Sequence, residues 1–358
     1  MNILFEINHP AHFHLFKNPV NQLIFQGHRI SILAKSNSPL PQLLATQPHW
    51  LVIFEGKKGK GMLAKIAKQF LFTFQAIRVI LTHKIDLCVG VSITMPQAAF
   101  LTGRKSLVLD DDDKHTTPFF AALSHTFATK ILSPKCLNNN DHKEKYKYYP
   151  GLHELSYLHP DVFTPQKDIF TAFDITVNEN IILLRFVDFK AHHDLGEKGL
   201  SNDQRKRLVE ILSKKGRVII TSESGLIPEL ASYKQIVSPD KIHDLLAIAS
   251  LYVGESQTMA SEAAVLGVPA VRINTFKKRI TYLTELEETY GLLYSYTPDE
   301  FGKAIAKIEE LLETGTKQRW SKKRQKLLED KINVSDFISS QIKEFASFLF
   351  LLGTLILQ

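Results

Sequence analysis

Short apolar runs alternate with longer amphipathic segments in two successive series, a pattern that commits the chain to parallel sheets covered by helices. In the first series the apolar runs fall at residues 2–7, 29–33, 50–54, 86–91 and 106–109, with helix-period segments at 16–26, 61–82 and 94–102. Parallel neighbours need a crossover, and a helix supplies it, so the order βαβα implies a doubly wound sheet with ligands at the carboxyl ends of its strands. A second series has runs at 180–186, 217–221, 234–237, 251–253 and 270–273. Between the two, Tyr146-Lys147-Tyr148-Tyr149-Pro150-Gly151 breaks both periods, and Pro160 and Pro165 follow. The spacing therefore predicts two Rossmann-like α/β domains facing a cleft, at 1–164 and 165–335. A helix and apolar tail at 336–358 then packs either on the first domain or on a membrane surface.

Length fits this division, since 358 residues is too many for one ordinary α/β core and suits two of about 100–200 each. Apolar residues at 44% and charged residues at 23% exclude disordered and fibrous classes. Cys88 and Cys136 stand in no paired motif, which argues against a disulfide framework or a structural zinc site and fits a reducing cytoplasm. The N-terminus reads as a first strand rather than a signal peptide. The apolar stretch at 345–357 is shorter than the roughly 20 residues a spanning helix requires.

A net charge of +7 points to an anionic partner: nucleic acid, acidic lipid or a sugar phosphate. The basic residues are dispersed and no base-reading motif interleaves them, so no nucleic-acid partner is expected. The cluster at 317–324 reads as a solvated helix face.

The segment from His243 to Pro269 reads as helix, strand, turn, helix, strand. Gly254 permits a tight turn, Ser256 or Thr258 caps the second helix, and the open amides of its first turn offer a diphosphate site. This stretch resembles the donor-binding signature of glycosyltransferase-B enzymes, including the peptidoglycan N-acetylglucosaminyl transferase and the UDP-N-acetylglucosamine 2-epimerases. The resemblance implies that Glu262 binds ribose hydroxyls, that the amides of Gln257, Thr258 and Met259 receive phosphate beside Ser256, and that Ile242, just ahead of the first helix, lies against the base. Gln257 departs from the glycine or small residue those families favour.

Arg185, at the carboxyl end of the second domain's first strand, either stabilises a leaving diphosphate or makes a surface ion pair. His192, His193 and Asp194 follow in a loop, as contacts to sugar hydroxyls or as solvated residues.

On the first domain, Asn8-His9-Pro10-Ala11-His12-Phe13-His14 follows the first strand. A neutral imidazole at a strand end can take a proton from an acceptor hydroxyl, and His12 is the candidate base; His9 and His14 cap or pack the turn. His12 occupies the place of the histidine in the Gly-Gly-His loop of the peptidoglycan transferase, although the glycines are absent. Together with Phe16-Lys17-Asn18 and the segment at 151–160, these motifs resemble the bacterial and archaeal family catalogued as domain of unknown function 354, which carries no assigned reaction.

The run Asp110-Asp111-Asp112-Asp113 reads as a solvated, partly capping loop, with Asp111 a candidate on the acceptor side. Residues 57–74 set lysines beside leucines and phenylalanines, a composition that either rests on an anionic membrane or divides into core and solvated faces.

The sequence thus predicts a metal-independent glycosyltransferase without a cofactor. It moves a sugar from a nucleoside diphosphate donor, uridine-linked, to a surface-glycan or lipid-linked acceptor, in the cytoplasm or peripherally on the inner membrane face. A 2-epimerase or hydrolase of the same nucleotide sugar is the alternative, and a non-catalytic binding or membrane-associated assembly protein the third.

Overall fold

The structure is a computed structural model. It describes residues 1–55, 62–110, 113–114, 118–137, 144–187, 198–222, 225–275, 280–313 and 315–356. The chain divides into two compact units, Met1–Tyr157 with Ile332–Gln358, and Leu158–Lys331.

The first unit runs β1 (Asn2–Ile7), α1 (Pro10–Phe25), β2 (Arg29–Lys35), α2 (Leu40–Ala45), β3 (Leu51–Glu55), α3 (Met62–Thr82), β4 (Leu87–Gly90), α4 (Thr94–Leu101), β5 (Lys105–Leu109), α5 (Pro118–His125), β6 (Lys130–Pro134) and β7 (Tyr146–Tyr149). Among the described residues the strands form one parallel sheet in the order β3-β2-β1-β4-β5-β6-β7. Ile3, Leu4, Phe5 and Ile7 of β1 and Leu87, Cys88 and Val89 of β4 are all buried. Buried apolar residues concentrated in this way belong to central strands covered on both faces.

Two sequence expectations change here. The segment at 146–151 contains β7 rather than a bare crossing. Its Tyr-Lys-Tyr-Tyr run pairs with β6 at the sheet edge, where a partly exposed strand suffices and an apolar run is not needed. Helix α1 begins at Pro10 rather than Phe16. Proline suits a helix's first turn because it has no N–H to leave unpaired, and His9 supplies the cap.

The second unit runs α6 (Asp168–Ala172), β8 (Ile181–Phe186), α7 (Asn202–Leu212), β9 (Arg217–Ser222), α8 (Ile242–Ile248), β10 (Leu251–Gly254), α9 (Gln257–Leu266), β11 (Ala270–Ile273), α10 (Thr281–Glu288), β12 (Leu293–Tyr296), α11 (Phe301–Leu311) and α12 (Thr316–Asp330). Its parallel sheet has the order β12-β11-β10-β8-β9. The strand expected at 234–237 is an isolated bridge, Ile220 to Lys234, after a 3-10 turn at Pro228–Tyr233. β12 was not anticipated, because Leu-Tyr-Ser-Tyr alternates at an edge.

Helix α9 ends where Gly267 takes a left-handed φ of 78°, a conformation other residues adopt only with strain. The Arg324 side chain lies 2.7 Å from where a Cβ would stand.

The chain then returns to the first unit as α13 (Val334–Ile356). Val334, Ile338 and Ile342 bury one face at helical spacing. Gln22 donates to Asp336 and accepts from Ser339, tying α13 to α1, while Lys130 bonds Gln341 and Glu344. No helix among the described residues is long and apolar enough to cross a membrane.

Candidate functional site

In a doubly wound sheet the ligand crevice lies where successive connections leave in opposite directions. In the second unit that point falls between β8 and β10, and the residues there are Arg185, Gly254, Glu255 and Ser256. Ser256 is the N-cap of the ten-residue helix α9, with its Oγ accepting the Met259 amide at 3.3 Å. Of the three amides expected to meet phosphate, Met259 is therefore engaged by the cap. Those of Gln257 and Thr258 lie in the first turn, where no intrahelical acceptor exists, on half-exposed residues.

Gly254 has a steric reason to be glycine. A Cβ would stand 2.5 Å from the Tyr252 hydroxyl and 2.8 Å from the Arg185 carbonyl oxygen. The Tyr252 hydroxyl donates to the Ser256 carbonyl at 3.4 Å, and burial pushes its pKa well above the usual tyrosine range.

Glu255 is a residue that sequence reasoning missed. Its carboxylate is buried and grips Arg205, with Nη2 at 2.9 and 2.8 Å from the two oxygens. It also accepts the amides of Val187 at 2.9 Å and Leu200 at 2.7 Å. Burial raises its pKa, and Arg205 acts against that rise. An acid placed between an apolar strand and a helix cap is buried there and needs a cation, and that position was the sequence signal that Glu255 has a partner. The residues His192, His193 and Asp194 lie outside the described residues.

Glu262 is 4% exposed, and its Oε1 lies 3.0 Å from His243 Nε2. The acid expected to meet ribose thus already holds an imidazole from the first turn of α8. Ile242 is the first residue of that helix, not the residue before it, and is half-buried. Arg185 is half-buried near the end of β8, with its carbonyl accepting the Glu255 amide at 2.9 Å. A cavity of about 670 Å³ lies at the opposite, amino-terminal edge of this sheet, against Ile181, Ser250 and Pro269, far from these groups.

The first unit's switch point lies between β1 and β4. There, His9 Nδ1 accepts the Ala11 amide at 3.2 Å as the cap of α1, and His12 Nδ1 faces the Asn8 amide at 3.4 Å. The His14 ring packs on Tyr157 with centroids 5.4 Å apart. His9 is the cap, and His12 and His14 lie within the first two turns of the helix rather than in a free loop.

Beneath them is a second missed acid, Glu6, which accepts from Asn8 Nδ2 at 2.6 Å and from the Ser92 hydroxyl. Burial raises the Glu6 pKa, while Lys35, Ser92 and Asn8 act to lower it. The aspartate run differs from expectation. Asp110 and Asp113 are buried, and Asp110 lies 3.5 Å from His125 Nε2 and 3.3 Å from the Ser133 hydroxyl. Its own amide extends the sheet ladder to the Leu132 carbonyl, which draws the side chain inward. Asp111 lies outside the described residues. No group of three or more metal-ligating side chains occurs among the described residues.

No family model matches the sequence, and no curated protein sequence matches it. The resemblance to domain of unknown function 354 therefore rests on the motifs alone. Solved structures do match over nearly the whole chain. The UDP-GlcNAc 2-epimerase from Neisseria meningitidis bound to UDP-GlcNAc is similar at a TM-score of 0.66 and 14% identity, covering 97% of this chain and 99% of that one. The UDP-GlcNAc 2-epimerase from Methanocaldococcus jannaschii is similar at 0.66 and 13%, covering 97% and 100%. The calicheamicin glycosyltransferase is similar at 0.61 and 14%, covering 97% and 98%. The fold is that of the glycosyltransferase-B enzymes and the 2-epimerases that share it.

Proposed function

We propose that the protein is a nucleotide-sugar enzyme whose donor diphosphate sits at the capped start of α9, and that it transfers the sugar to an acceptor hydroxyl. The observation that carries this reading is the coincidence of three features at one point of the second unit: the switch point of the sheet, the capped N-terminus of α9, and Arg185 level with Gly254. Helix amides and the helix dipole favour an anion there. A diphosphate leaving group is the charge that Arg185 would stabilise. The epimerase solved with UDP-GlcNAc supports uridine as the base. Glu262 meets the ribose with the side not given to His243, and Ile242 lies near the base. The acceptor is a surface glycan or a lipid-linked hydroxyl, and the chemistry proceeds without a metal or other cofactor.

His12 is the base in this reading. With Nδ1 facing the Asn8 amide, the neutral ring carries its proton on Nε2 and donates from there; to take a proton it must leave a contact that at 3.4 Å is weak. The histidine-bearing turn favours transfer over epimerisation, since it stands where epimerases carry an arginine-containing loop.

Titration calorimetry with UDP tests the site. Binding is expected in the wild type and in His12→Ala, and it should be weakened in Glu262→Ala. Product analysis then separates the reactions, because donor incubated alone gives an epimer or free sugar only if no acceptor is needed. An epimer formed by the wild type and lost in His12→Ala would refute the transferase reading and leave the site intact.

A further inference from the structure

The third residue of β11 is an arginine in a strand that is otherwise apolar, and Arg272 is 1% exposed. Its guanidinium donates once, from Nη2 to Ser295 Oγ at 3.2 Å. Nε and Nη1 are buried with no hydrogen-bond partner, and among the described residues no carboxylate stands within ion-pair distance. Glu287, whose charge acts on Arg272, uses Oε1 to accept the Ser295 amide at 3.1 Å. Burial lowers the Arg272 pKa, yet a guanidinium is basic enough to stay charged. A buried, unneutralised charge destabilises a fold, and hydrophobic replacement of such groups often increases stability. Its presence in a central strand calls for a return elsewhere.

Register says where the charge acts. Arg272 pairs with Gly254, and Gly254 pairs with Arg185. Level residues on neighbouring parallel strands share a face, so two arginines flank Gly254, two positions before Ser256. The Tyr252 hydroxyl occupies the space a side chain at 254 would need, interacts electrostatically with both arginines, and reaches the Ser256 carbonyl. The acids nearest the turn are engaged: Glu255 holds Arg205 and Glu262 holds His243.

We infer that Arg272 is a positioning charge for an anionic ligand at the start of α9, and that it makes the turn select a diphosphate over a neutral nucleoside. The inference rests on the nucleotide reading for the identity of the ligand, and adds the source of its charge selectivity. Arg272 touches no ligand. Its field acts through the turn across a low-dielectric interior, where salt screens it little.

The role has a signature that a merely structural arginine lacks, because stability and affinity move in opposite directions. Ligand-free Arg272→Met should unfold at a higher temperature than the wild type. It should bind UDP and inorganic diphosphate about tenfold more weakly, the scale of a typical coupling between sites, while uridine affinity is unchanged. Arg272→Lys, which keeps a charge, should retain most of the UDP affinity and serves as the control if the methionine variant folds poorly.

Calorimetry with UDP, uridine and inorganic diphosphate on the three proteins, beside thermal melts, decides the matter. Equal losses for uridine and UDP, a lowered melting temperature with diphosphate binding intact, or unchanged UDP affinity in Arg272→Met would each overturn the inference and leave the nucleotide reading standing. If the wild type binds diphosphate but no nucleoside diphosphate, and Arg272→Met loses it, the nucleotide reading fails and the charge role survives. If the wild type binds neither, both fall.

Discussion

Replacing Glu255 by alanine tests whether the acid beside the α9 turn holds this site together. The carboxylate accepts from Arg205 through Nη2 and Nε and from the amides of Val187 and Leu200. Arg205 is 16% exposed at its side chain and Glu255 0%, so solvent does not screen the pair as it would on a surface. Removing one partner of a buried pair costs about 3–5 kcal/mol, because the other charge stays behind unpaired. For a unit of roughly 150–250 residues each kcal/mol lowers the melting temperature by about 2–4 °C, so the expected drop is about 6–20 °C.

Calorimetry of the purified chain measures it, and hydrogen exchange localises it, since the Val187 and Leu200 amides should lose protection first. The double variant Glu255→Ala/Arg205→Met should be more stable than Glu255→Ala alone, because the stranded charge is gone. A drop below about 2 °C, the scale of an exposed pair, would refute the assignment of a structural role to this acid. So would strictly additive losses in the double variant.

Two further outcomes are expected from the first unit. Burial raises the Glu6 pKa, so its contribution to stability is fully present below the unfolded value near 4.5 and is lost as pH rises through the folded value. Melts of Glu6→Gln and wild type from pH 4 to 8 should therefore show the variant gaining relative stability with pH, and a difference independent of pH would contradict the buried-acid assignment. Phe70 and Phe74, one turn apart on α3, are 73% and 65% exposed, and lysines of 57–65 precede them in sequence. Co-sedimentation with anionic vesicles should fall several-fold in Phe70→Ser/Phe74→Ser, and binding of the wild type no greater to anionic than to neutral vesicles would exclude an electrostatic membrane partner.

Strands rich in apolar residues were legible in the sequence, central β1, β4 and β10 and edge β3 and β9 alike, whereas β6 and the edge strands β7 and β12 were not. β1, β8 and β10 lie inside their sheets and are dominated by apolar residues, with Glu6 and Arg185 as charged exceptions in the first two. β7 and β12 lie at sheet edges, where Tyr-Lys-Tyr-Tyr and Leu-Tyr-Ser-Tyr pair without an apolar run and so resemble loops. The start of α1 was misjudged because Pro10 and three histidines look like a turn. The His9 side chain caps the helix, and His12 and His14 already lie within it.

The groups that the sequence concealed are all buried charges near a strand end. Glu6, Asp110, Glu255 and Arg272 each follow or interrupt an apolar run, and each meets partners that pattern reading does not see because most come from other elements of the fold. Glu255 and Arg272 show that they are not equivalent. Glu255 meets a cation and two amides, so its burial is compensated and its removal should destabilise. Arg272 meets one hydroxyl and feels Glu287 without an ion-pair contact, so its burial is poorly compensated and its removal should stabilise. Glu255 follows β10 directly into the α9 turn and is answered by Arg205, whereas Arg272 reaches that turn through its register with Gly254. On the inference drawn above, that charge favours an anion at the first turn of α9, where the Gln257 and Thr258 amides have no intrahelical acceptor.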